Sequence, residues 1–421
     1  MLPREHLIDT AKAVYRSYGF SPIDTPAIEY AEILLGKGGA ESDKQIYRFE
    51  TAGGRDVALR FDLTIPLARF VAQHIGVLGT PFKRYHVGPV WRGENPQRGR
   101  YREFVQCDFD TIGTTSIISD IETALVIHDL FVALGLERFT VHISNRKVLS
   151  GLLDRVGLSD QSTTVLRSVD KLGKIGKAAV AADLTASVGA TQAQIEAILE
   201  LVTLEGDNRQ IVDALSAMLA GSATGEEGAA ELSELLHGID AAGVSGDRFR
   251  IDPSIARGLD YYTGMVYETF LDDLPEIGSC CSGGRYDDLA SVYTSQVLPG
   301  VGASLGVDRL LAAMQELGGL EARAATADVL VTLFDPEHKR DAVGLAADLR
   351  RNGVSVELYP DPRKLSAQLR YADRRGHRLA VIVGPAEDEA DTAQIKDLAV
   401  GKSIEVCRSE VAETCKRLLK D

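Results

Sequence analysis

The chain has 421 residues, is 45% hydrophobic and 25% charged, and carries a formal net charge of −15 at pH 7. That length allows two to three domains with substantial cores, and the acidic balance excludes a uniformly basic nucleic-acid surface, leaving only local clusters for phosphate contacts. No apolar run reaches the roughly 20 residues of a membrane span, and MLPREHLIDT lacks the charged-then-apolar pattern of a secretory signal, so the expectation is a cytoplasmic protein with no membrane partner.

In chain order, Leu7, Ala11, Val14 and Tyr18 recur near helical spacing and Gly19 follows, predicting an amphipathic helix over residues 3–18. VALRFDLT, KRYHVGPVW and REFVQCDFD alternate with the period of strands, and GENPQRGR supplies the turn of a long hairpin between the last two. An antiparallel sheet is expected. From about Leu152 to Leu236 the residues become Ala, Leu, Glu and Gln with no strand signal, which predicts a helical insertion. FRIDPSIARG and TGMVYETFL read as strands again, followed by a Gly-rich stretch and a helix in VDRLLAAMQELG. After Gly318 the order strand, helix, strand, helix, strand predicts a small α/β domain, with helices over about 339–350 and 364–374. The five cysteines, two of them adjacent at Cys280 and Cys281, show no CxxC spacing and suggest neither a disulfide framework nor a metal site.

Strand parity assigns faces. Val57, Leu59, Phe61 and Leu63 would share one face, opposite Arg60, Asp62 and Thr64; Val105, Cys107 and Phe109 lie opposite Gln106, Asp108 and Asp110. Two readings are open: a sheet with one solvated face, or a lined cleft. Arg92 closes the strand entering the hairpin and would stand beside the same carboxylates if the strands pair, an arrangement suited to a zwitterionic or phosphorylated ligand. ARGLDYYTG fits either core packing or a ligand pocket, and the paired glycines of CSGGRYDDL fit a turn. PGVGASLGVDRLL has glycines at 300, 302 and 306 without the spacing of a dinucleotide fold or a P-loop; Arg309 in its helix fits a surface pair or a polyphosphate contact.

Together these segments resemble a class II aminoacyl-tRNA synthetase. GFSPIDTPAIE, with Pro26, is similar to motif 1 at the dimer interface, YHVGPVWRGENPQRGRYREFVQCDFD to motif 2, and PGVGASLGVDRL to motif 3. RGLDYYTG and SGGRYD resemble the two signatures of the histidyl-tRNA synthetase family, and RKLSAQLRYADRRGHRLAVIVG its anticodon-binding domain. The resemblance implies an α+β catalytic domain with an antiparallel sheet over residues 1–322, a helical insertion at about 152–245, and a C-terminal α/β anticodon-binding domain over 326–421. It implies that L-histidine is activated with ATP to histidyl-adenylate and pyrophosphate and transferred to the 3′ end of tRNA(His), by a homodimer, with Mg²⁺ accompanying ATP.

By the same resemblance Asp62 and Thr64, with Leu63 between them, hold the α-amino group with help from Gln106. Asp110 and Tyr262 bracket the imidazole, and Tyr261 and Tyr286 line the pocket. Arg92 and Arg257 contact the α-phosphate, Arg92 also the substrate carboxylate, and Arg309 the terminal phosphates. Arg98, Arg100 and Arg102 lie in the loop that reaches the tRNA acceptor end. A second cluster, Arg363, Lys364, Arg370, Arg374, Arg375 and Arg378, is a candidate nucleic-acid face or a solvated helix face. The competing reading is a catalytically inactive regulatory subunit of histidine biosynthesis. Such subunits typically lose the catalytic arginines and the C-terminal domain, whereas this chain keeps both.

Overall fold

A computed structural model describes residues 1–35, 40–255, 261–319 and 325–420. The chain divides into two compact units, Arg4–Gly319 and Leu320–Asp421 with Met1–Pro3. The first helix, Leu2–Ser17, buries Leu7, Ala11 and Tyr15 along one stripe. The Tyr15 hydroxyl donates to the Cys107 carbonyl at 3.0 Å, and its ring lies 5.0 Å from that of Phe109. This helix therefore covers the apolar face of that strand, leaving the opposite face to Gln106, Asp108 and Asp110.

The strands of the first unit are β1 Ser21–Pro22, β2 Ile28–Tyr30, β3 Arg48–Glu50, β4 Asp56–Leu59, β5 Phe82–Trp91, β6 Glu103–Ile112, β7 Phe139–Asn145, β8 Phe249–Ile251, β9 Met265–Leu271, β10 Cys281–Tyr286 and β11 Gly300–Gly306. Eight of them form one sheet in the order β1-β5-β6-β11-β10-β9-β7-β8, while β2, β4 and β3 form a small sheet of their own. The two outermost pairs of the large sheet are parallel and the pairs between them antiparallel. This is the α+β fold expected, with β5 and β6 as the long hairpin, in register from Phe82 opposite Ile112 to Trp91 opposite Glu103.

Two local expectations are corrected. VALRFDLT is not a strand throughout: β4 stops at Leu59, and a helix begins at Thr64. The Asp62 carboxylate accepts the Ile65 N–H at 2.9 Å, satisfying a donor that the first turn of the helix leaves free, so the chain turns out of the sheet despite its alternating pattern. Nor does β4 pair with β5 or β6; its neighbours are β2 and β3.

Gly283 and Gly284 are inside β10 rather than in a turn. A Cβ on Gly283 would stand 2.1 Å from the Gly302 carbonyl oxygen, and one on Gly302 would stand 2.4 Å from Asp110 Oδ1. These glycines are required by close backbone and side-chain approach, not by chain reversal.

Between Asn145 and Phe249 the described elements are all helical. On the far side of the sheet from the cleft residues, Arg285 of β10 makes a buried ion pair with Asp120 of the helix Ile117–Ala133, Nε donating at 3.0 Å. In the second unit, β12 Val329–Val331, β13 Val356–Leu358, β14 Leu379–Ile382, β15 Thr392–Asp397 and β16 Ser403–Cys407 form a sheet in the order β13-β12-β14-β15-β16. Helices Lys339–Arg351 and Leu365–Arg375 supply the two crossovers between its parallel strands, as expected from sequence. The antiparallel β15 and β16 complete it over a core that includes Val329, Val331, Leu349, Val381 and Ile395.

Candidate functional site

A cavity of about 230 Å³ opens on the polar face of β6, β10 and β11. Asp62, Thr64, Arg92, Gln106, Asp110, Tyr261, Tyr262 and Tyr286 all line it, although they come from separate stretches of the chain. Asp108, Glu268, Ser282 and Ser304 line it too and were not assigned roles from sequence. Parity did place Asp108 beside Gln106 and Asp110, and it puts Glu268 on the face of Val266 in MVYETFL, but alternation cannot tell which polar face is enclosed.

Several acceptors in this cavity are buried without a hydrogen-bond partner: Asp62 Oδ2, Gln106 Oε1 and Asp108 Oδ1. Unpartnered buried acceptors are costly, so the site is built for a ligand that brings donors. Burial raises the pKa of Asp62 and Asp110, against the pull of neighbouring arginines, and pushes Asp108 up to about 7 with help from the Asp110 charge. Burial likewise keeps the phenols of Tyr261, Tyr262 and Tyr286 neutral, hence able to donate. The three rings are held edge to face, Tyr261 at 5.2 Å from Tyr262 and 5.8 Å from Tyr286.

Arg84, absent from the residues picked out in the sequence, supports this wall. It is fully buried and directly opposite Asp110 in the hairpin, with one guanidinium nitrogen 2.5 Å from Asp110 Oδ2. That oxygen is held in the ion pair with Arg84, while Oδ1 accepts from the Tyr286 hydroxyl. Beside it, His86 is buried and held neutral, its pKa lowered to about 3 by burial and by Arg84 and Arg60.

A second, smaller cavity of about 100 Å³ shares Arg92, Gln106, Ser282 and Ser304 with the first and adds Glu94, Arg100, Tyr101, Gly306 and Arg309. Arg92 stands on the shared wall. Its Nε donates to the Phe61 carbonyl at 3.1 Å, its guanidinium lies 4.3 Å over the Phe61 ring and 5.1 Å over Phe104, and Glu94 stands 3.9 Å away, contacts that fix the cation in place. Arg309 donates to the Ser279 carbonyl at 2.5 Å; burial and the nearby charges of Arg100 and Arg92 lower its pKa. Clustered cations of this kind fit a polyanion.

Leu63 does not line either cavity; it is fully buried at the start of the helix, where the turn at residue 62 directs it into the core. Arg257 lies outside the described residues. Arg98, Arg100 and Arg102 sit on the loop between β5 and β6: Arg98 pairs with Glu316 at 2.6 Å, Arg100 approaches Glu94 at 3.7 Å, and Arg102 donates to the Glu94 carbonyl at 3.3 Å.

In the second unit a groove of about 690 Å³ runs along the helix Leu365–Arg375, lined by Tyr359, Arg363, Arg370, Tyr371 and Arg374 among others. Arg375 lies over the Tyr371 ring at 5.9 Å, and Arg378 instead pairs with Asp397 at 3.0 Å. The buried Gln368 anchors the helix by exchanging two hydrogen bonds with the Leu333 backbone, at 2.9 and 2.7 Å.

The family model described as histidyl-tRNA synthetase matches residues 2–310, and the one described as anticodon binding domain matches 328–418. The chain is 56% identical to a histidine–tRNA ligase of Rhodopirellula baltica, covering 97% of this chain and 92% of the relative, and 45% identical to that of Wolinella succinogenes, covering 95% and 91%. A solved histidyl-tRNA synthetase from Nostoc sp. PCC 7120 superposes with a TM-score of 0.90 at 36% identity, over 98% of this chain and 95% of that one. A structure from Bacillus halodurans, titled as an ATP phosphoribosyltransferase regulatory subunit/histidyl-tRNA synthetase, shares the fold with a TM-score of 0.74 at 23% identity, over 88% and 92%. With its model matched over most of the length and relatives this similar from end to end, the chain belongs to the histidyl-tRNA synthetase family.

Proposed function

We propose that this chain is a cytoplasmic, homodimeric histidine–tRNA ligase whose first cavity holds L-histidine and whose second holds the phosphates of ATP. One observation carries the assignment: an acceptor-rich cavity and a cation-rich one meet at a single wall containing Arg92. The regulatory-subunit alternative is not favoured, since the relatives that match over most of the chain are histidine–tRNA ligases and an anticodon-binding-domain model matches residues 328–418.

In this reading the substrate ammonium brings three donors to Asp62 Oδ2, Gln106 Oε1 and the Thr64 hydroxyl. Asp110 accepts from one imidazole nitrogen and Tyr262 addresses the other, so an analogue lacking either nitrogen strands a buried group. The histidine carboxylate attacks the α-phosphorus of ATP, the new C–O–P bond forms, and pyrophosphate leaves. Both reactants are anionic, so the residues position and neutralise rather than transfer protons: Arg92 spans carboxylate and α-phosphate, Arg257 takes the α-phosphate, and Arg309 the terminal phosphates. Mg²⁺ would neutralise phosphate charge. Glu94 is the carboxylate of that cavity able to touch it, and phosphate oxygens and water would supply the remaining ligands.

Arg98, Arg100 and Arg102 would meet the tRNA acceptor end, and the groove with Arg363, Arg370 and Arg374 would meet the anticodon side, where Tyr359 and Tyr371 offer stacking faces. Dimerisation would use the small sheet, whose outer face exposes Ile28, Tyr30 and Phe49. The test is ATP–pyrophosphate exchange with each amino acid, then charging of bulk tRNA. Exchange with histidine alone and charging of tRNA(His) are expected; exchange driven by another amino acid, or none at all, would overturn the reading.

A further inference from the structure

Tyr262 and Tyr286 line the same cavity, but they are held there differently. Tyr286 ends β10, whereas Tyr262 lies outside any strand, ahead of β9. A residue outside the ladder needs other bonds to fix its backbone, and here the next residue supplies them. The Thr263 N–H donates to the Arg285 carbonyl at 2.8 Å. Its hydroxyl donates to Asp287 Oδ2 at 2.7 Å, and the same oxygen accepts the Asp287 N–H at 3.1 Å. The hydroxyl has one proton, and the nearer, charged carboxylate takes it in preference to the Arg285 carbonyl at 3.4 Å. Thr263 therefore grips the residues on both sides of Tyr286. The other end of the pair is also anchored: Arg285 donates to Asp287 Oδ1 at 3.2 Å and, through Nε, to Asp120 at 3.0 Å. The Tyr262 ring meanwhile lies against Gly284, where a Cβ would stand 3.0 Å from its Cδ1 and 2.6 Å from the Met265 carbonyl oxygen.

We propose that the reciprocal Thr263–Asp287 pair is a clasp that aims the Tyr262 hydroxyl at the imidazole of the amino-acid substrate, making both members positioning residues for substrate recognition. Neither lines either cavity, so they act through the tyrosine and not on the ligand. This rests on the reading that Tyr262 addresses an imidazole nitrogen. A phenol hydroxyl stands at the far end of a rigid ring, so a small backbone rotation beside Thr263 becomes a larger displacement where the hydrogen bond is made. The clasp joins the segments YYTG and GGRYD side by side, and thereby sets Tyr262 against Tyr286 and the Asp110 carboxylate that Tyr286 holds.

The test is ATP–pyrophosphate exchange by the full-length protein. Thr263→Val, which removes the hydroxyl at nearly constant size, and Asp287→Ala are each expected to raise the KM for histidine about tenfold and to leave that for ATP within about twofold. Thr263→Ser restores the hydroxyl and is expected to return the histidine KM to within about threefold of wild type. In a Tyr262→Phe background Thr263→Val is expected to cost histidine little further, because no hydroxyl remains to be aimed. If Tyr262→Phe raises the histidine KM but Thr263→Val does not, or if the two losses multiply, the clasp is overturned and the Tyr262 assignment stands. If Tyr262→Phe leaves the histidine KM unchanged, the imidazole reading of Tyr262 fails and the clasp with it. Equal losses for histidine and ATP, or no recovery in Thr263→Ser, mark a packing role and also overturn the clasp. Asp287→Ala carries the same comparison if Thr263→Val does not fold.

Discussion

Asp110 works between two partners of opposite character. Arg84 behind it favours the carboxylate, burial opposes it, and the Tyr286 hydroxyl holds its orientation. Asp110→Ala removes the proposed imidazole acceptor and leaves Arg84 buried beside a hole, so the KM for histidine in ATP–pyrophosphate exchange should rise by about 10- to 100-fold while that for ATP changes little. Equal losses for both substrates would dismiss the imidazole contact. His86 makes a separate, pH-dependent contribution. Its folded-state pKa is depressed to about 3, so the unfolded chain binds the extra proton at any pH between there and the ordinary value near 6.5. Its stabilising effect is complete above that window and is lost as pH falls through it. Denaturant titrations at pH 7 and pH 5 should show a wild-type loss that is smaller, by on the order of 1 kcal/mol, in His86→Gln.

At the level of elements, the cleft depends on how closely β6, β10 and β11 approach. A Cβ at position 302 would lie 2.2 Å from the Phe109 carbonyl, which is backbone, and 2.4 Å from Asp110 Oδ1, a buried carboxylate held by Tyr286 and Arg84. Gly302→Ala should therefore destabilise the fold by about 1–3 kcal/mol and displace Asp110, read as a lowered Tm together with a raised histidine KM. The loop between β5 and β6 behaves differently because its arginines are outside the sheet. Arg98 and Arg100 are largely exposed, and their pairs with Glu316 and Glu94 should contribute little to stability. Reversing both charges, Arg98→Glu with Arg100→Glu, is expected to lower tRNA charging far more than ATP–pyrophosphate exchange. A matching fall in both rates would place these residues with the nucleotide rather than the tRNA.

Across the whole molecule, the two polar cavities that share Arg92 lie in the unit Arg4–Gly319 and the basic groove in the unit Leu320–Asp421. The formal charge of −15 does not conflict with a nucleic-acid partner, because Arg363, Arg370 and Arg374 are gathered on one helix and the loop before it while Asp373 is the acid in that groove. Arg370→Glu with Arg374→Glu should raise the KM for tRNA about tenfold and flatten its salt dependence, leaving histidine-dependent ATP–pyrophosphate exchange at the wild-type rate. An unchanged salt slope would remove the groove from the tRNA path.

Much of this was legible in one dimension. The first helix, the hairpin of β5 and β6, the helical stretch after β7 and the crossovers of the second unit follow from periodicities that the burial of Leu7, Ala11, Cys107 and Phe109 makes visible, because local backbone geometry decides which side chains share a face. Parity likewise placed Gln106, Asp108 and Asp110 together. What alternation could not say was whether their face meets water or a cavity, since that depends on β10 and β11 arriving from residues 281–306 and on a helix closing over Asp62. The turn at Asp62 overrode its own alternating pattern through one hydrogen bond to Ile65, and the glycines of β10 and β11 took their meaning from the strand opposite. Arg84 had no local signal of function at all. Its place exists only in register, where a cation meets Asp110 across the hairpin. Sequence determined most of the elements, their faces and the family; tertiary pairing decided the turn at Asp62, the strand that holds Gly283 and Gly284, and which polar face became enclosed, because enclosure and partner geometry are properties of residues distant along the chain.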